Sequence, residues 1–325
     1  MYVKNKGIFL TIALVLVLAS IASLVFRGFN LDTDFAGGMA VTYEINSEFS
    51  VSDVEAIANE ALGADRSPSS VQRSGNEVII KFGFDNDLDN DEARSDFAMT
   101  KIAAITEGLI AKYGAPVEET PAEEATEETP TEETPAEEAP KTGVVLKSQD
   151  IVSPSTGREL ARSAVLMSIL ACIAILLYVT FRFEFTSGVV AVLALVHDVV
   201  ILLGIYSLLQ WSVDTNFIAA VLTVLGYSIN NTIVIMDRIR ENTRHARKET
   251  YGQIANKSIA QTLNRSINTT ITTLLTIGMV YILGVPSIQA FSLPIIIGIL
   301  VGFYSSVFVA GPLWATWRDS GVKKK

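Results

Sequence analysis

The sequence predicts a mainly α-helical membrane protein: six transmembrane helices, with one small α+β, ferredoxin-like domain held outside the cytoplasm between the first and second. Three observations carry that prediction. Uncharged apolar runs of membrane-spanning length recur along the 325 residues, and the mean hydropathy is +0.37. Lys and Arg gather at alternate ends of those runs, as they do when one side of the membrane is cytoplasmic. The long charged interval after the first run shows strand-like alternation followed by helix-like spacing.

Residues 1–6, with Lys4 and Lys6, form a short basic cytoplasmic start. Gly7 to Phe26 is then twenty residues without a charge. At about 1.5 Å per residue this crosses a hydrocarbon core of about 30 Å. It exceeds a signal-peptide core and is followed by no small-residue cleavage pattern, so it is expected to remain as an anchor.

Residues 27–115 are expected to fold outside the cytoplasm. Ala40 to Asn46 alternates, with Val41, Tyr43 and Ile45 on one face, and predicts a half-buried strand. Ser52 with Glu55 predicts a capping box ahead of a helix bearing Val54, Ile57, Ala58, Ala61 and Leu62 and stopping at Gly63. Val71–Arg73 and Glu77–Phe82, joined across Ser74-Gly75-Asn76, predict a hairpin. Met99, Ile102, Ile105, Leu109 and Tyr113 mark a second amphipathic helix. Residues 116–142, an EETP-like acidic repeat, are expected to be a solvated tether, since such a composition buries too little apolar surface to fold. Residues 143–162 then supply a return strand at Val144–Val152 and the approach to the membrane.

Residues 163–317 predict a five-helix bundle. Three spans cover about Ser163–Phe181, Ser187–Leu209 and Phe217–Met236. The 52 uncharged residues from Ser266 to Trp317 are too long for one crossing and divide at Gly284-Val285-Pro286-Ser287. With alternating spans, Lys4, Lys6, Arg182, the run Arg238 to Lys248 and the basic tail 318–325 share one side. The expected location is therefore the cytoplasmic (inner) membrane of a prokaryote, multi-pass, with both termini in the cytoplasm.

The formal charge of −10 gives no sign of an acidic domain, because ten glutamates lie between Glu118 and Glu138 and the rest of the chain is neutral (−10 + 10 = 0). Basic residues do not gather with stacking aromatics on a soluble face, so no nucleic-acid partner is expected. One cysteine, Cys172, and two distant histidines leave no metal cluster and no disulfide framework. No nucleophile–base pair is evident, so no enzyme activity and no cofactor is expected, beyond transported H+ or Na+.

Polar groups inside the membrane are the candidate functional residues, because a central charge costs about 2.5–3.5 kcal/mol on insertion scales. His197-Asp198 lies near mid-depth of the third span. Asn230 and Asn231, with Ser228 and Thr232, lie in the inner half of the fourth. Arg265 opens the fifth, so it and the Asn pair can meet at similar depth. These groups read either as an ion or proton relay or as interhelical hydrogen bonds holding a bundle together. Gly298-x-x-x-Gly302, followed by Ser305 and Ser306, permits close helix approach.

Six strings in order resemble the SecF half of the SecD/SecF family of protein-export membrane proteins, of the resistance-nodulation-division type. Asp34-Phe35-Ala36-Gly37-Gly38 is similar to its D-F-x-G-G, and Gly157-Arg158-Glu159-Leu160 to its G-x-E-L. Phe181-Arg182-Phe183-Glu184 is similar to F-R-F-E, and His197-Asp198 to H-D. Gly226-Tyr227-Ser228-Ile229-Asn230 is similar to G-Y-S-x-N, and Asp237-Arg238-Ile239-Arg240-Glu241-Asn242 to D-R-I-R-E-N. The resemblance implies pairing with SecD, association with the SecYEG translocon, contact with emerging secreted polypeptides, and use of a proton or sodium gradient. It also implies ion coupling by an aspartate after G-Y-S-x-N together with an arginine opening the fifth span. Here Asn231 stands in place of that aspartate, whereas Arg265 matches the arginine. Asp32-Thr33 and the acidic insert also depart from the family pattern. Two other readings remain open: a half-transporter of the same superfamily exporting a lipid or small solute, and a structural partner of SecD without ion chemistry.

Overall fold

The computed structural model describes residues 3–63, 68–84, 90–115, 143–182, 184–246 and 248–322. The acidic tether at 116–142 and Phe183 lie outside the described residues. Two units emerge, one of residues 33–158 and one of residues 1–32 with 159–325.

In the membrane unit, unbroken apolar sequence makes long helices: α1 (Lys6–Arg27), α5 (Pro154–Arg182), α6 (Phe185–Leu209), α7 (Thr215–His245), α8 (Tyr251–Leu283) and α9 (Pro286–Tyr304). A π-helical turn at Ser305–Ala310 continues α9 into α10 (Gly311–Val322). Six of the described helical stretches are long and apolar enough to span a bilayer, with α9, the π turn and α10 counted as one. The 52-residue run breaks where Gly284 and Pro286 predict, Pro286 opening α9 at a position whose N–H a helix leaves unpaired. Two helices run well past their apolar cores. α7 continues through Asp237–Asn242 to His245, capped at its start by Asp214, whose Oδ1 accepts from Phe217 N at 2.8 Å. α8 starts at Tyr251, behind a Thr250–Gln253 capping box, so Arg265 lies mid-helix.

Small residues set the packing. Ser20 of α1 lies against Gly204 of α6, and Ser23 and Ser207 share a hydrogen bond of 3.0 Å. α7 packs on α9 at Gly298, where an added Cβ would run into Val224, and at Gly302, where it would sit 3.1 Å from Ser228 Cβ. Side chains of α6, α7 and the α9–α10 stretch fill the centre, while α5 and α8 keep most of their apolar surface exposed. A two-residue parallel pairing joins β1 (Asn30–Leu31) to β6 (Ser212–Val213), reinforced by Asp32 N to Val213 O at 3.0 Å. That pairing ties Asn30–Asp32 to the membrane unit, and the second unit begins at Thr33.

The unit of residues 33–158 opens with a short helix, α2 (Thr33–Ala36), then β2 (Gly38–Ile45), α3 (Val51–Leu62), β3 (Ser70–Ser74), β4 (Glu77–Gly83), α4 (Asp91–Tyr113) and β5 (Val144–Val152). The sheet order is β3-β4-β2-β5, with every neighbouring pair antiparallel. Met39, Val41, Tyr43 and Ile45 alternate onto one face with Val78, Ile80 and Phe82. Val54, Ala58 and Leu62 of α3 and Ala98, Ile102, Ile105 and Leu109 of α4 cover them.

The expected Ser52–Glu55 capping box is not formed. α3 starts at Val51 with extended Ser50 as its N-cap residue, and Ser50 Oγ bonds Ser52 Oγ at 2.6 Å. Phe49 before the cap and Val54 in the first turn share the core, and this apolar pairing selects the earlier start. The Tyr43 hydroxyl is buried against Thr106 Oγ1 at 2.9 Å, and burial raises its pKa above that of free tyrosine despite that bond. On the exposed β5 edge, Lys147 pairs with Glu44 at 2.6 Å, and the Glu44 carboxylate raises the ammonium's pKa.

Candidate functional site

Two polar clusters are built into the membrane unit. The first centres on Asp198, thirteen residues into the 25-residue α6 and fully buried at 0% exposure. Its Oδ2 accepts from Ser228 Oγ of α7 at 2.5 Å and from Ser305 Oγ of the π turn at 2.7 Å, and its Oδ1 lies 2.9 Å from His197 Nδ1. Three helical segments therefore converge on one carboxyl group. Gly302 lets α9 approach Ser228 closely, beside the point where Ser228 and Ser305 meet Asp198. Consecutive serines of the π turn, about a quarter-turn apart, serve different neighbours: Ser305 reaches Asp198, and Ser306 bonds Thr232 of α7 at 2.9 Å. The His197 ring stacks on Tyr304 with centroids 6.4 Å apart, and the Tyr304 hydroxyl donates to Phe9 O of α1 at 3.0 Å. His197 Nε2 is buried without a hydrogen-bond partner.

The second cluster lies between α7 and α8. Tyr227, Asn230, Asn231, Val234, Arg265, Ser266 and Thr269 line a pocket of about 50 Å³. Asn230 and Arg265 are exposed, whereas Asn231 is 9% exposed and Ser266 2%. Asn231 Nδ2 and Ser266 Oγ are both buried without a partner, and Tyr227 donates to Thr270 Oγ1 at 3.4 Å. A polar pocket of this size with several donors accommodates ordered water. The structure thus brings Asn230, Asn231 and Arg265 together and sets Asp198 and His197 in a different cluster.

The other motif residues hold elements in place. In the unit of residues 33–158, Gly37 has a φ of 80°, and a Cβ there would meet Pro154 at 2.8 Å. One on Gly38 would meet Phe82 O at 2.6 Å, and one on Gly157 would meet Phe35 O at 2.7 Å. The D-F-x-G-G string and Gly157 therefore meet through backbone contact that side chains would block, beside the buried Phe35 ring. Asp34 lies in α2. In the membrane unit, Glu184 is the residue before α6 and pairs with Arg318 of α10. Arg182 ends α5, and its side chain lies outside the described residues. Gly226 faces open space.

The 237–242 string ties α7 to α8. Arg238 Nε donates to Gln261 Oε1 at 2.7 Å and its Nη1 to Glu241 Oε2 at 2.6 Å, while Asn242 Nδ2 donates to Ser258 Oγ at 2.8 Å. Asp237 and Arg240 line a shallow polar groove with Glu241, Arg244 and His245. Sequence reasoning left Ser305 as a packing neighbour. A hydroxyl placed 107 residues from Asp198 has no local signal that it will reach it.

Residues 134–320 match the family described as "Protein export membrane protein SecD/SecF, C-terminal". The SecF protein translocase subunit of Desulfurispirillum indicum is 34% identical over 331 residues, covering 99% of this chain and 93% of that protein. The chain belongs to the SecF family. The SecF of Alicyclobacillus acidocaldarius is 43% identical over 176 residues, a match covering 53% of this chain and 57% of that protein. The SecDF of Bacillus subtilis is 32% identical across 99% of this chain, which spans 38% of its length. Among solved structures, the SecDF of Thermus thermophilus, titled a translocon-associated membrane protein, superposes with a TM-score of 0.73 at 31% identity, covering 98% of this chain and 38% of that one. With six apolar helices and SecF relatives, this family member is a multi-pass membrane protein.

Proposed function

We propose that this SecF-family chain is a non-enzymatic subunit that works with a SecD-type partner to move secreted polypeptides across the cytoplasmic membrane at the SecYEG channel, drawing on a proton or sodium gradient. The observation that carries the reading is the end-to-end match to a translocase subunit, 99% of one chain against 93% of the other. A SecD-type partner is supported by relatives named SecDF, of which this chain spans only 38%. The exposed apolar sides of α5 and α8 suit lipid and neighbouring membrane helices.

The orientation places both termini and the α7–α8 connection in the cytoplasm, where Lys and Arg collect. The unit of residues 33–158 then lies outside, as a ferredoxin-like βαββαβ domain, a reading supported by its sheet order and element order. A gradient of 100 mV supplies about 2.3 kcal/mol per charge moved, enough to bias a two-state bundle. The pocket of Asn230, Asn231 and Arg265 is the proposed ion-coupling contact. Because an amide cannot titrate, the gradient-linked carboxylate acts from elsewhere: from the SecD-type partner, with Asn231 and Arg265 orienting it, or from Asp198 in the separate cluster.

The deciding experiment replaces the gene in cells that depend on it and follows secretion of a reporter. Arg265→Ala is expected to reduce secretion several-fold at unchanged protein level. Secretion that persists in that variant but collapses on deletion of the chain would favour a purely structural partner, a reading that the amide at 231 supports. Loss of copurification with Sec components, together with export of a lipid or solute, would favour the half-transporter.

A further inference from the structure

The geometry points to Asp198 as a single-proton site whose occupancy is read out by the π-helical turn through Ser305. This rests on the proposed role as a gradient-driven subunit and names the group on which the gradient acts in this chain. A carboxyl group with no contact to solvent accepts two hydroxyl donors on one oxygen and faces an imidazole nitrogen with the other. That donor set suits an ionised carboxylate, which is acceptor-only. A proton on Oδ2 discharges the group from −1 to 0 and reverses one of its two hydrogen bonds: the acid O–H donates to a serine Oγ, whose own hydrogen must then find another acceptor.

Ser305 is the serine with somewhere else to go. Its hydroxyl also lies 3.2 Å from Gly302 O, the carbonyl that Ser306 already uses at 2.7 Å. The charge-assisted bond that ties the π turn to Asp198 of α6 then becomes a weaker neutral one, which loosens that turn. His197 Nδ1 lies against the other oxygen, Oδ1, and its opposite nitrogen, Nε2, is buried without a partner.

The surroundings hold little that competes. The facing residues of α1 between Gly7 and Phe26, of α7 between Thr215 and Met236, and of α9 and the π turn between Pro286 and Ala310 carry no Asp, Glu, Lys or Arg. The titratable groups on the described elements packed around the site are His197 itself, Tyr304 of α9 and Cys172 of α5, while Tyr227 of α7 turns to Thr270 of α8. α10, also packed on α6, brings Arg318 and Asp319, but Arg318 pairs with Glu184 at the start of α6, about 20 Å along the helix from Asp198.

Infrared difference spectroscopy on the full chain in lipid nanodiscs tests this. A protonated-carboxyl band is expected to grow on acidification and to be missing in Asp198→Asn. In Ser305→Ala the carboxyl C=O stretch of that band is expected to move in frequency, because the acid group has lost one hydrogen-bond partner. Amide exchange across residues 305–310, corrected for its intrinsic pH dependence, is expected to quicken on the acid side in the parent and to lose that dependence in Asp198→Asn. A band that stays constant between about pH 4 and 10, or a Ser305→Ala band at the parent's frequency, would overturn the inference. If Asp198→Asn fails to fold, the Ser305→Ala shift decides alone. Neither readout involves secretion, so secretion that depends on Arg265 while Asp198 does not titrate would remove this site and leave the translocation reading standing.

Discussion

At the scale of single residues, the fold spends its rare buried polar groups where they bind elements to each other. Asp198 joins α6 to α7 and the π turn, and Tyr43 joins β2 to α4. The Tyr43 ring is wholly buried and its hydroxyl shares Thr106 Oγ1, which also bonds Ile102 O at 2.7 Å. Tyr43→Phe is therefore expected to cost only about 1 kcal/mol, because Thr106 keeps an acceptor. The sign of its pH dependence follows from burial. A phenol whose pKa is raised in the fold contributes its full stability below about pH 10 and loses it as pH climbs through the raised value. Amide exchange in β2 of the parent and Tyr43→Phe chains, compared at neutral and alkaline pH, checks both statements. Asp198 was legible as an intramembrane charge because a charge in an apolar run is conspicuous. Its donors were not, since Ser228 and Ser305 are ordinary residues for a membrane helix until packing sets them beside it.

Among the elements, small residues do more than permit contact: they decide which helices meet. Gly298 and Gly302 lie one helical turn apart on α9 and face Val224 and Ser228, also one turn apart on α7. Gly298→Leu is expected to push the two helices apart and to destabilise the bundle by about 1–3 kcal/mol, the usual range for overpacking, read as a lower midpoint of thermal unfolding in detergent. Gly226→Ala, at a glycine that faces open space, is the matched control with little expected change. Most helix and strand positions were readable from periodicity, and the return strand at Val144–Val152 lies at the expected residues. Failures came where a local signal had a stronger neighbour. The Phe49–Val54 pairing overrode Ser52 and Glu55, and hydropathy alone missed the polar first half of α8, whose start is marked by Thr250 and Gln253 instead. The π turn carries no compositional mark, and its serines stand out only once packing sets Asp198 and Thr232 beside them.

For the whole molecule, the parallel pairing of Asn30–Leu31 with Ser212–Val213 links the end of the first span to the connection between the third and fourth. In a Cys172→Ser background, Asn30→Cys with Ser212→Cys is expected to form a disulfide on mild oxidation, whereas Asn30→Cys with Gln289→Cys is not, because adjacent paired strands bring Cα atoms within disulfide reach. Gel mobility with and without reductant checks it. The sequence by itself determined the six apolar helices, the loops in which Lys and Arg collect, the α+β character of the interval after the first span and the polar residues within the apolar runs. Each of these follows from local composition: the length of an apolar run, a charge within it, or a period of two or 3.6. Only the tertiary structure decided that Asp198 and Arg265 belong to separate clusters, that α5 and α8 expose their apolar sides, and that a π turn completes the Asp198 site. Those outcomes depend on which helix faces meet across a hundred residues of chain, and no single segment carries that information.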